Sequence, residues 1–142
     1  MSVTHAEFTI ERRYRQSPEQ TFSAFSRPEL RRQWFARPGG AWEMDFRVGG
    51  SERSELQDPH RLFLARFHDI VEPERIVYSY DLEHDHRLIS VSLATVQLLP
   101  DGDGTRLCFT EQGVFFDGPH AAAEREHGTH EYVLGALDRF LA

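Results

Sequence analysis

The chain of 142 residues has a single cysteine, Cys108, and no lysine at all. One cysteine excludes an internal disulfide, which suits a reducing compartment. Its neighbours Leu107 and Phe109 read as strand, not as the electropositive, accessible setting of a nucleophilic thiol. All sixteen basic residues are arginine, the better planar partner for carboxylates, although a compositional bias of the source genome accounts for this without a functional demand. No hydrophobic run approaches the roughly 18 apolar residues of a membrane span. Met1 to Glu11 has no apolar core followed by a cleavage site, so no signal peptide is read there, and a cytoplasmic location away from membranes is expected. Positive charge is also short: 16 basic against 23 acidic residues leaves −7, which repels phosphate backbones and argues against a nucleic-acid partner. Neither a glycine-rich phosphate loop, a dinucleotide fingerprint nor a nucleophile elbow is present.

What the chain does have is bulk for a core, with eleven Phe, four Tyr and two Trp. Its length fits one domain over residues 1–142, large enough to hold a core without metals or disulfides. Phe8, Ile10, Arg12 and Tyr14 alternate with polar residues, marking an opening strand. Ser17-Pro18-Glu19-Gln20 reads as a helix start with a capping box; Phe22 and Phe25 then share one helical face. Pro28 opens a second short helix that runs to Trp34. From Ala41 to Gly113 strands and turns dominate. Trp42, Met44 and Phe46 alternate up to the Gly49-Gly50 turn. Ser51 to Gln57, being polar, is expected at an edge or in an exposed strand, broken by Asp58-Pro59. Arg61–Val71, Ile76–Leu82, Leu88–Leu99 and Thr105–Gly113 follow, separated by Glu72-Pro73-Glu74, the bend at His84 to His86, and the Asp101–Gly104 hairpin.

Asp117-Gly118-Pro119 resembles a helix cap. The remainder is helical, with Thr129, Tyr132, Val133, Ala136, Leu137, Phe140 and Leu141 on one apolar stripe. The order is strand, two short helices, about six strands and a long helix. This predicts an α+β fold in which a curved antiparallel sheet of about seven strands wraps a long C-terminal helix. Space left between the two layers is where a ligand is expected.

Five segments carry a family resemblance: Ser17-Pro18-Glu19 leading to Phe22 and Phe25; Pro28-Glu29-Leu30 through Trp34; Arg47-Val48-Gly49-Gly50; Glu72 through Val77; and Gly104 through Leu107 with Thr110-Glu111. In order and spacing the chain resembles the START-related (SRPBCC) helix-grip superfamily, and within it the heat-shock protein 90 ATPase activator homology family. The resemblance implies the helix-grip fold. It implies function more loosely, since the superfamily includes lipid carriers, hormone receptors, aromatic cyclases and chaperone activators. Where the family often has Gly-Trp early in the last helix this chain has Gly128-Thr129, which implies a roomier or more polar wall. The eukaryotic activator carries a further domain before this one, and its absence here argues against a chaperone-activating role.

The expected function is a non-catalytic module that binds or senses a small apolar or aromatic molecule. The expected cavity residues are Trp34, Trp42, Phe67, Tyr78, Tyr80, Val91, Phe109, Thr129, Tyr132, Val133 and Ala136. An enzyme of the cyclase or hydrolase kind, with His68, Glu111 or Tyr80 as acid and base, is the alternative. A chaperone-partner module, which would expose an apolar patch, is the third reading, and a homodimer is compatible with each. No cofactor or metal is expected. His120, Glu124, His127 and Glu131 share a helix face at ligand spacing, but Glu131 is followed by Tyr132, Val133 and Leu134 instead of a second zincin histidine, and a solvated face explains them. Glu83 to His86 and Asp101 to Gly104 read as turns.

Overall fold

Inward-pointing Phe8 and Ile10 define the concave side of strand β1 (Thr4–Tyr14), as their alternation requires. The computed structural model describes residues 3–56, 60–116, 118 and 120–142. After β1 come α1 (Pro18–Ser26) and α2 (Pro28–Phe35), then β2 (Trp42–Met44), β3 (Ser51–Glu55), β4 (Arg61–Val71), β5 (Arg75–His84), β6 (Arg87–Asp101) and β7 (Gly104–Phe115). The capping box forms as read: Ser17 Oγ accepts from the Gln20 amide at 3.2 Å, and Gln20 Oε1 accepts from the Ser17 amide at 3.0 Å. The seven strands form one antiparallel sheet in the order β1-β7-β6-β5-β4-β3-β2.

Turn chemistry sets the register. Gly49 has φ +83°, and a Cβ on Gly50 would lie 2.1 Å from the Asp45 carbonyl oxygen, so the β2–β3 turn needs both glycines. Asp85 and His86 (φ 51° and 66°) make the two-residue β5–β6 hairpin, whose left-handed backbone matches the sheet twist. Leu82 of β5 pairs with Ser90 of β6, and Glu83 with Leu88. Ile89 is therefore the extra residue of a bulge, and both Ile89 and Ser90 are buried.

The C-terminal helix has three parts: α3 (Ala121–Gly128), a π-helical turn (Thr129–Val133) and α4 (Leu134–Leu141). Leu134 and Leu137 of α4 are fully buried in the core, whereas α3 buries no residue completely. Asp138 ties α4 to β1, accepting from Arg12 Nε at 3.1 Å and from the Tyr14 hydroxyl at 2.7 Å. Burial and the Asp138 carboxylate both push the Tyr14 phenol upward. No helix among the described residues is long and apolar enough to cross a membrane.

Three expectations are corrected. The polar strand Ser51–Glu55 is not an edge: β2 lies outside it, and Glu52 and Ser54 are buried. Its polar inward residues are tolerated because Glu52 has a buried charged partner. Beyond Met44 the expected strand does not continue, and Phe46 instead packs edge-on against Phe22 and Phe67. The helical stripe slips at the π-helical turn, so Tyr132 is 66% exposed and Leu134 takes the buried place. A π turn holds more residues than an α turn, which moves any 3.6-residue pattern out of phase beyond it. The break at Asp58-Pro59 lies outside the described residues, as do Asp117 and Pro119 of the expected cap. The residue before α3 is His120, without a side-chain cap.

Candidate ligand cavity

Inward residues of β4 to β7 face α3 and the π-helical turn across a cavity of about 520 Å³. That volume lies within the range of small-molecule sites. Of the expected residues, Trp34, Tyr78, Tyr80, Phe109, Thr129, Tyr132 and Val133 line it. Phe35, Phe63, Leu82, Ile89, Phe115 and Arg125, which the sequence reading did not single out, line it as well. The Phe63 and Tyr80 rings lie 4.8 Å apart at 33°, and the Tyr78 ring is 6.1 Å from Tyr80, giving a continuous aromatic wall. The helical side mixes small residues, Ala121, Gly128 and Thr129, with the bulkier Arg125, Tyr132 and Val133 and the polar Glu124 and His127.

The other expected residues lie elsewhere. Val91 is on the convex side of the sheet, 37% exposed. The inward face of β6 there is Ser90, Ser92 and Ala94, so over this stretch the more apolar face is the outward one. Trp42 packs outside the cavity and donates its indole N–H to Glu52 Oε2 at 3.0 Å. Phe67 is buried against Phe46 and Tyr78, away from the cavity lining. Ala136 packs against the core below the π turn and does not line the cavity. His68 is the extra residue of a bulge in β4 and is exposed, with Nε2 2.7 Å from Ser79 Oγ; it does not converge on Glu111.

Two buried charge networks back the aromatic walls. In the first, Arg31 on α2 grips Glu52 on β3 with Nε–Oε2 3.0 Å and Nη2–Oε1 2.9 Å. The guanidinium lies 3.7 Å from the Phe35 ring centroid and 4.8 Å from that of Trp34. In the second, Glu111 is fully buried, and its Oε2 accepts from Ser92 Oγ at 2.6 Å and from the Tyr80 hydroxyl at 2.8 Å. Arg125 Nη1 approaches the same oxygen at 3.5 Å and donates to the Tyr80 hydroxyl at 3.2 Å. Glu111 Oε1 and Ser90 Oγ are buried without a hydrogen-bond partner among the described residues. Burial pushes the Glu111 carboxyl up, against the opposing pull of Ser92, Arg125 and Tyr80. Burial, then the Glu111 charge, pushes the Tyr80 phenol well up. These groups could exchange a proton, but the carboxylate lies behind Tyr80 and is not part of the cavity surface. Among the described residues, no group of three or more His, Cys, Asp or Glu is placed to hold a metal ion.

A curved antiparallel sheet closed by a C-terminal helix over an aromatic cavity is the helix-grip, START-like architecture. The family model for Activator of Hsp90 ATPase homolog 1-like protein matches residues 15–142, and the chain belongs to that family. Among solved structures, the Mll3558 protein from Rhizobium loti is 46% identical, with TM-score 0.90 over 99% of this chain and 100% of that one. A protein from Rhizobium leguminosarum is 39% identical, with TM-score 0.89 over 99% of this chain and 96% of that one. An HSP90 activator from Plasmodium falciparum shares the fold at 21% identity, with TM-score 0.64 over 91% of this chain and 96% of that one. No curated protein matches the chain.

Proposed function

We propose that this protein binds a small, mainly apolar molecule between its sheet and its C-terminal helix, and that it does so without catalysing a reaction on it. The observation that carries this reading is the cavity of about 520 Å³ walled by Trp34, Phe63, Tyr78, Tyr80 and Phe109. Apolar lining with few polar groups is the usual character of a ligand site. A catalytic reading lacks convergence: Glu111 is enclosed behind Tyr80, and His68 is on the far side of the sheet. A chaperone partner, suggested by the activator-like members of the family, is a poorer fit to a chain whose main concave feature is this aromatic-walled cavity.

Filling the cavity tests the proposal. Thr129 is buried and lines it, so Thr129→Trp places an indole in the space. The expected result is a folded variant that loses binding of an environment-sensitive apolar dye and loses any small molecule retained by the wild type in native mass spectrometry. Equal dye binding by both folded proteins rejects this cavity as the binding site. Destabilisation by about 1–3 kcal/mol with no ligand to lose is the signature of a site already packed solid.

A further inference from the structure

The cavity has an imbalance between charge and hydrogen-bond donors, and the imbalance selects a ligand chemistry. Arg125 is the one arginine of the helix that lines the cavity, with a side chain only 10% exposed. Its charge is already matched by Glu111, whose carboxylate oxygen lies 3.5 Å from Nη1 and is fully buried. Its donors are not matched. A guanidinium carries five N–H groups, and among the described residues only Nη1 has partners, the Tyr80 hydroxyl and Glu111. Nε and Nη2 have no acceptor among the described residues, while the guanidinium lies 5.2 Å from the Phe115 ring centroid and 5.7 Å from that of Tyr80. The Tyr80 hydroxyl is also used up, donating to Glu111 while accepting from Arg125. Glu124 and His127 reach the lining from exposed positions at its solvent side, and Arg61 is engaged in interactions of its own.

An anionic ligand would bring a second negative charge beside Glu111 in a low-dielectric wall, which costs more than a neutral acceptor does. A pure hydrocarbon would cover the Arg125 donors and leave them unsatisfied. A neutral acceptor oxygen avoids both costs.

Building on the ligand-binding reading above, we propose that the cavity is specific for neutral molecules with an aromatic-sized apolar body and one carbonyl oxygen, which accepts hydrogen bonds from Arg125. The aromatic wall of Phe63, Tyr78 and Tyr80 takes the body and Arg125 takes the oxygen, so ring systems with a conjugated ketone match both ends of the site.

Three matched probes test this: 2-ethylnaphthalene, 2-acetylnaphthalene and 2-naphthoate, titrated into the wild-type protein and followed by calorimetry or protein fluorescence. The ketone is expected to bind at least about tenfold more tightly than the hydrocarbon, the value of one hydrogen bond to a charged donor. The carboxylate is expected to bind more weakly than the ketone. The carbonyl stretch of the bound ketone should shift to lower frequency than in an alkane solvent, a measurement that needs no variant. In Arg125→Lys, which keeps a cation beside Glu111 but loses the planar fork, the ratio of ketone to hydrocarbon affinity should fall towards one. Equal affinity of ketone and hydrocarbon for the wild type, or tightest binding of the carboxylate, overturns the carbonyl assignment and leaves the apolar-cavity reading standing. Failure of all three probes to bind overturns both.

Discussion

The pair Arg31–Glu52 is the most exacting test of how this fold holds its cavity wall. Both residues are almost fully buried, at 4% and 1% exposure. Their two short contacts are joined by the Trp42 indole N–H on Glu52 and by the Phe35 ring under the guanidinium. Replacing Arg31 with Met leaves the Glu52 charge buried with one neutral donor. Replacing Glu52 with Leu strands a buried guanidinium among aromatic rings and also leaves the Trp42 N–H unpaired. Each single change is expected to cost about 3–5 kcal/mol, the usual penalty for orphaning a buried charge. That is a large share of the roughly 5–15 kcal/mol that holds a domain together. The double variant Arg31→Met/Glu52→Leu removes both charges and should recover most of the loss, because apolar replacement of a buried pair is often neutral or better. Urea denaturation of the wild type, both single variants and the double variant gives the coupling directly. Single losses below about 1 kcal/mol, the range of a solvated surface pair, or a double variant whose loss equals the sum of the singles, would falsify the claim that the two charges depend on each other.

Leu137 is fully buried where α4 meets the core, so Leu137→Ala should cost about 2–5 kcal/mol by chemical denaturation; a loss within about 0.5 kcal/mol would mean that the helix does not dock there. For Glu111 the sign of the pH dependence follows from burial: its folded carboxyl titrates above the ordinary 4.5, so its contribution is fully present below that value and is lost as pH rises through the folded one. The stability of the wild type relative to Glu111→Gln should therefore fall as pH rises above the ordinary carboxyl value; a relative stability that rises there means that Arg125, Tyr80 and Ser92 outweigh the desolvation.

Much of this architecture was readable from turns and periodicity. The capping box at Ser17, the Gly49-Gly50 turn, the Asp101–Gly104 hairpin and the alternation of Phe8 with Ile10 each have a local physical cause, and each forms as read. Where reading failed, tertiary partners had overridden local pattern. Glu52 and Ser54 look like surface residues until Arg31 is placed across from them. In β6, Val91 and Leu93 outweigh Ser90 and Ser92 on any hydropathy scale, yet the serines point inward because Ser92 is a partner of Glu111. Two further signals lie in the sequence. Arg31 precedes Trp34 by three residues and Phe35 by four, which puts the three on one helical face. Ala121, Arg125, Gly128 and Thr129 have the i, i+4, i+7, i+8 spacing of a single stripe, and all four line the cavity.

The cavity exists because its two ends are held in different ways. On α4, Leu134 and Leu137 are sunk in the core and Asp138 accepts from Arg12 and Tyr14, so that end cannot settle further into the sheet. On α3 nothing is fully buried, and the least exposed polar anchor is Arg125 on Tyr80 and Glu111. The π-helical turn lies between them, and Thr129 in that turn supplies less bulk than the Trp often found in the resembled family. A wall of rings on one side faces a helix on the other that sets Ala121, Gly128 and Thr129 beside Arg125, Tyr132 and Val133, and the Arg31–Glu52 pair and the Glu111 network stand behind the rings. Those networks are costly to break because each encloses a charge. The same argument picks out α3, which buries no residue fully, as the segment that opens at the least free-energy cost.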